Sequence, residues 1–88
     1  MHNLTWTGTA AQLRWGYHSA ATLRDWTVSK DEHGSLRLSA SVVRANTFQL
    51  SQRPLVFVVS HPKGFWRWPV TELQNEGASV SGTLGPKE

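Results

Sequence analysis

The stretch RPLVFVVSHPKGFWRWPV, Arg53 to Val70, admits few structures. Leu55-Val56-Phe57-Val58-Val59 is too short for a buried helix and is built from β-branched and aromatic residues, so length and composition both favour a strand buried on most of both faces. His61-Pro62-Lys63-Gly64 then supplies turn chemistry, because Pro62 pre-sets its φ and Gly64 tolerates a left-handed bulge position. Taken as a three-residue loop, Pro62-Lys63-Gly64 predicts a register with His61 opposite Phe65, Val59 opposite Arg67, Val58 opposite Trp68 and Val56 opposite Val70. Trp66, Trp68 and Val70 then share a face with Val56 and Val58, and Phe65, Arg67 and Pro69 share the other with Phe57 and Val59. Pro69 cannot donate to a ladder, so its strand is expected at a sheet edge, or bulged there, and that edge is a candidate surface for homo-oligomer assembly.

A second hairpin is written between Arg24 and Val42. Trp26 and Val28 alternate with polar residues, Asp31-Glu32-His33-Gly34 makes a turn, and Leu36, Leu38, Ala40 and Val42 alternate again. With Gly34 as a bulge residue, Val28 faces Leu38 and Trp26 faces Ala40. The adjacent apolar pair Val42-Val43 breaks the period and predicts a bulge or bend. Asp31-Glu32 reads as a solvated turn tip.

The flanks are less constrained. Leu4-Thr5-Trp6 starts a strand that either continues through Leu13, Trp15 and Tyr17 or gives way to a helical turn, since Thr9 and Gln12 have capping-box spacing and Gly16 suits a C-terminal cap. Ala45 to Gln52 connects the second hairpin to the apolar strand, with room for a short strand. Thr71 to Gln74 either ends the aromatic strand or makes one helical turn, Asn75-Glu76-Gly77 reads as a turn, and Val80 and Leu84 lie in a last strand before a frayed tail, Gly85–Glu88. The expectation is a mainly β single domain over residues 1–88. Five to six short strands would form a small barrel or strongly bent antiparallel sheet, SH3-like or OB-like, with room for one short helix.

A chain of 88 residues buries only about 60–65% of its unfolded surface, so five tryptophans and three phenylalanines must carry much of the core. The absence of cysteine removes disulfides, thiol nucleophiles and cysteine-ligated zinc. No apolar run is long enough for a membrane helix and the N-terminus lacks the order of a secretory signal, so a cytoplasmic protein without membrane contact is expected. The formal charge is +3, and six of the nine basic residues are arginine, which favours planar and stacking contacts.

Those arginines stand beside aromatics. Phe65-Trp66-Arg67-Trp68 and Arg14-Trp15-Gly16-Tyr17-His18 pair stacking platforms with cations, the combination used by sequence-tolerant binders of single-stranded nucleic acid. On this reading Trp66, Trp68, Trp15 and Tyr17 stack on bases, while Arg14, Arg37, Arg53, Lys63 and Arg67 meet phosphates. Trp66 and Trp68 serve equally well as core, and a protein-interaction or assembly module, such as a small viral or prophage structural component or inhibitor, would use the same residue types. His2, His18, His33 and His61 are too dispersed for a metal pattern, and His18-Ser19 with Asp25 matches a triad only in residue type. No nucleophile elbow, phosphate loop or carboxylate pair is present, so a non-catalytic protein without metal or cofactor is expected.

Overall fold

The apolar run and its aromatic return are adjacent strands, and four more strands close around them. A computed structural model describes residues 5–88 as β1 (Thr5–Trp15), β2 (His18–Lys30), β3 (Leu36–Ala45), α1 (Thr47–Leu50), β4 (Leu55–His61), β5 (Gly64–Asn75) and β6 (Ser79–Leu84). The strands form a closed barrel in the order β1-β2-β3-β6-β5-β4, with every neighbouring pair antiparallel. Two three-stranded meanders, β1-β2-β3 and β4-β5-β6, meet at two seams, β3 against β6 and β1 against β4. The strands are longer than their sequence signals suggest, because β-bulges let β1, β2 and β5 bend and continue.

Turn chemistry placed the β2–β3 hairpin in register. Val28 lies opposite Leu38. Arg24 pairs with Ser41 and Thr27 with Ser39, so Asp25 and Trp26 together oppose Ala40, with Asp25 at φ 50°. The ladder slips again between Thr22 and Leu23, where Leu23 faces Val42 and Thr22 faces Arg44, and this is the bulge expected at Val42-Val43. The turn itself is organised rather than merely solvated: Asp31 Oδ1 accepts the backbone N–H groups of His33 and Ser35, each at 2.9 Å, and Asp31 Oδ2 accepts Arg37 Nε at 3.3 Å.

The β4–β5 hairpin is one residue out of the expected register. Gly64 pairs with His61, leaving Pro62-Lys63 as a two-residue loop, and Ser60 faces Phe65, Val59 faces Trp66, Val58 faces Arg67, Phe57 faces Trp68 and Leu55 faces Val70. Gly64, at φ 134°, enters the strand instead of serving as a loop bulge, and Lys63 N–H donates to His61 Nδ1 at 3.2 Å across the turn. A slip of one exchanges the faces of a strand. Trp68 and Val70 therefore join Leu55, Phe57 and Val59 inside, while Val56 and Val58 share the outer face with Phe65, Arg67 and Pro69.

Of the two open alternatives at residues 9–16 and 71–74, the strand forms in each case and the helical turn does not. Ala11 and Leu13 are buried on β1, which pairs with β2 along its length, and Gly16 (φ 59°) with Tyr17 makes the hairpin tip between them. Residues 71–74 stay within β5. Among the described residues the one helical turn is in the connector that had room for a short strand: Asn46 Oδ1 accepts Gln49 N–H at 3.0 Å as an N-cap, and Leu50 is buried in the core.

Pro69 does not mark an edge, since β5 lies between β4 and β6. It is tolerated because β6 ends at Leu84, opposite Val70, so no strand residue needs its missing N–H, and the β5–β6 ladder shifts between Val70 and Glu72. Beyond β6, residues 85–88 lack strand structure but run beside β5, where Gly85 N–H donates to Pro69 O at 2.7 Å and Glu88 N–H to Arg67 O at 2.8 Å.

The core centres on Trp26, Phe57 and Trp68, whose ring centroids lie 5.4 to 6.4 Å apart in edge-on and tilted contacts. Leu13, Leu23, Val28, Leu38, Leu55 and Val80 fill the space around them. Gly8 is required beside this cluster, because a Cβ there would lie 2.7 Å from Trp26 Nε1. Among the described residues no helix is long and apolar enough to cross a membrane.

Candidate functional site

The outer surface of β1, β4 and β5 collects what the expected register would have dispersed. Cross-strand pairing sets Gln12, Val58 and Arg67 in one row and Arg14, Val56 and Pro69 in the next, with Ser60 and Phe65 beyond. Val58 is only 8% exposed although it faces outward, so its neighbours cover it and it forms a floor. Two hollows of about 200 and 390 Å³ share Arg14 and Val58 and thus make one trough along β4: Gln12, Ser60 and Phe65 line one end, and Tyr17, Pro54 and Arg67 line the other.

Exposed aromatics stand at the two ends of the trough, with Phe65 at 54% and Tyr17 at 96% exposure. The Arg67 guanidinium lies 5.3 Å from the Phe65 ring centroid, a cation–π contact that holds the side chain over the outer face. Arg14 Nη2 donates to Tyr17 O at 3.3 Å, tying its head to the hairpin tip, while its Nε is buried without a partner. Ion pairs among the described residues join Arg24 to Asp25 and Arg37 to Asp31, and His33 Nε2 lies 3.7 Å from Glu32 Oε1. Arg14 and Arg67 therefore meet no carboxylate, and their charge over an apolar floor is uncompensated.

The remaining sequence-derived candidates lie elsewhere. Trp68 is fully buried and belongs to the core, so it cannot present a ring to a ligand. Trp66 is half-buried on the same side of β5, its ring 4.7 Å from His61 and 6.2 Å from Trp68, with Lys87 Nζ 5.0 Å above it. Trp15 is half-buried between His18, at 5.6 Å, and Phe48, at 6.4 Å. Arg53 spends its guanidinium locally, with Nη1 donating to Leu50 O and Gln52 O at 2.8 Å each. Arg37 is paired with Asp31 in the β2–β3 turn, where the Ser35 N–H above all, with Arg37 and the His33 N–H, holds the Asp31 carboxyl below its ordinary range. Lys63 is exposed in the β4–β5 turn.

Arg14, Arg67 and Tyr17 are thus brought together, and Val56, Val58 and Phe65 complete their surface. The signal for the added residues was present in the sequence, since a two-residue Pro62-Lys63 loop puts all three on the outer face with Arg67. Among the described residues no three metal-ligating side chains cluster. No family model, curated protein or solved structure matches this chain.

Proposed function

We propose that this chain is a non-catalytic binding module that takes single-stranded nucleic acid along the β1–β4–β5 trough. The supporting observation is the pair of guanidiniums without carboxylates, Arg14 and Arg67, above the Val56–Val58 floor and between Phe65 and Tyr17. Phosphates meet the arginines, and bases stack on the end aromatics, each contributing about 1–3 kcal/mol with little regard for sequence. Lys63 adds charge near the Phe65 end. From Leu55 to His61 β4 spans about 20 Å at the usual rise per residue, which accommodates a few nucleotides.

Fluorescence anisotropy of a labelled oligothymidylate, at low and moderate salt, tests the reading. With two or three phosphates neutralised on a single strand, log affinity falls against log salt with a slope of roughly −1.4 to −2. Arg67→Glu weakens binding by about tenfold or more. Phe65→Ala weakens it comparably while leaving the circular dichroism spectrum unchanged. No binding at micromolar protein in low salt, or binding indifferent to both substitutions, rejects the proposal.

A further inference from the structure

The two ends of the barrel are closed differently. Where β3 passes to β4, α1 lies against β1 through a Phe48–Trp15 contact and buries Leu50 in the core, so that end is plugged. The opposite end, where the β2–β3 and β4–β5 turns lie, has no such element among the described residues. There β1 and β4 also part: only Gln12, Leu13 and Arg14 pair with β4, so residues 5–11 ladder with β2 alone and residues 59–61 with β5 alone. The open mouth of a small barrel is a preferred place for a ligand.

A hollow of about 510 Å³ occupies that mouth, a size within the range of small-molecule sites, and it shares no residue with the trough. Leu36, Leu84 and the half-buried Trp6 give it apolar walls, and Trp68 closes its floor. The charged and unpartnered polar groups around it are donors. Trp68 Nε1–H is buried without an acceptor, a demand that buried polar groups normally have met. Lys30 comes from the end of β2, and Lys87 from the segment after β6, which the hydrogen bonds from Gly85 to Pro69 and from Glu88 to Arg67 fix along β5. No carboxylate lines the hollow, and neither lysine joins an ion pair among the described residues. Asp31, next in sequence to Lys30, is taken up by Arg37 and by N–H groups of its own turn.

We infer that the barrel mouth is a second binding site, and that it takes a small organic anion with an apolar body, such as an aromatic or medium-chain carboxylate. The body replaces water against Trp6, Leu36 and Leu84, and the anionic head meets two ammonium groups that no carboxylate competes for. An inorganic anion leaves the apolar walls bare, and a neutral apolar molecule leaves the donors unmet. Only a ligand with both parts satisfies the whole lining.

Anilinonaphthalene sulfonate has both parts and reports its own burial by fluorescence, and phenylnaphthylamine is nearly the same body without the sulfonate. Titration of the native chain is expected to give saturable one-to-one binding, at least about tenfold tighter for the sulfonate than for the neutral amine, with decanoate displacing the sulfonate. Lys30→Gln with Lys87→Gln weakens the sulfonate by about tenfold or more and leaves the amine within about twofold. Circular dichroism stays unchanged, because both side chains are exposed. Arg67→Glu, which disables the trough, leaves the sulfonate within about twofold, so the failure of one site is distinguishable from the failure of the other. Absence of saturable binding, equal affinity for the two dyes, indifference to the paired lysine substitution, or loss of the sulfonate with Arg67→Glu overturns the inference.

Discussion

The two seams of this barrel do the same topological work with different amounts of structure. At the β3–β6 seam six residue pairs run from Leu36 opposite Leu84 to Ser41 opposite Ser79, and Val42 N–H donates to Ala78 O at 2.9 Å beyond them. At the β1–β4 seam three pairs suffice. On its other side β6 packs closely on β5, since a Cβ on Gly82 would fall on the Glu72 carbonyl oxygen. The short seam is where Arg14 is held without a carboxylate, where the trough lies and where strand edges are left open. On the proposed function, the longer ladder and the binding trough lie at opposite joins of one ring, as expected when binding surfaces are drawn from the less tightly closed parts of a fold.

Substitutions can break that contrast. Gly82→Ala on the long seam should cost the most, about 3 kcal/mol or more from backbone overlap. Urea denaturation measures it, and a loss below about 0.5 kcal/mol would mean that β6 is not held closely against β5. Gly8→Ala, on the arm of β1 beyond the short seam, forces Trp26 to move and should cost about 1–3 kcal/mol in the same assay. Arg67→Glu should leave stability within about 0.5 kcal/mol while weakening oligonucleotide binding, so fold and function separate at the trough.

The smallest effect belongs to the turn that leads into the long seam. Asp31 has its carboxyl lowered from 3.8 chiefly by the Ser35 N–H. A depressed folded pKa stabilises above the unfolded value, and that contribution is lost as pH falls from about 4 through the lower folded value. Asp31→Asn should therefore lower the melting temperature slightly near neutral pH and flatten its decline below pH 4. A curve parallel to the parent's would show that the turn does not sense the charge.

What could be read in the sequence was local. Val28 opposite Leu38 followed from a turn and an alternation that agreed, and the opposed sides of Trp66 and Arg67 followed from any extended reading of residues 65–68. The β4–β5 register failed by one because Gly64 suits either a loop bulge or a first strand residue, and that single choice decided whether Val56 and Val58 met Trp68 or Arg67. The Asn46–Gln49 spacing that caps α1 has the same form as Thr9–Gln12, but the segment holding the latter pair is recruited into a strand by β2. The ring order was out of reach, because which strands meet across the barrel depends on contacts far apart in the chain. Trp68 could not be placed for a related reason: core or platform is decided by neighbours from β1 and β2, not by its own segment.

The hairpin tip that carries Tyr17 has a practical consequence. It is the sole tyrosine of a chain that has no cysteine, and it is almost wholly in solvent at one end of the trough. Nitration of the native protein should therefore mark a single phenol ring and install a chromophore there without any mutation. An occupant lying across Arg14 would slow that reaction and shift the nitrophenol absorbance, which makes the unaltered chain its own reporter of whatever it holds.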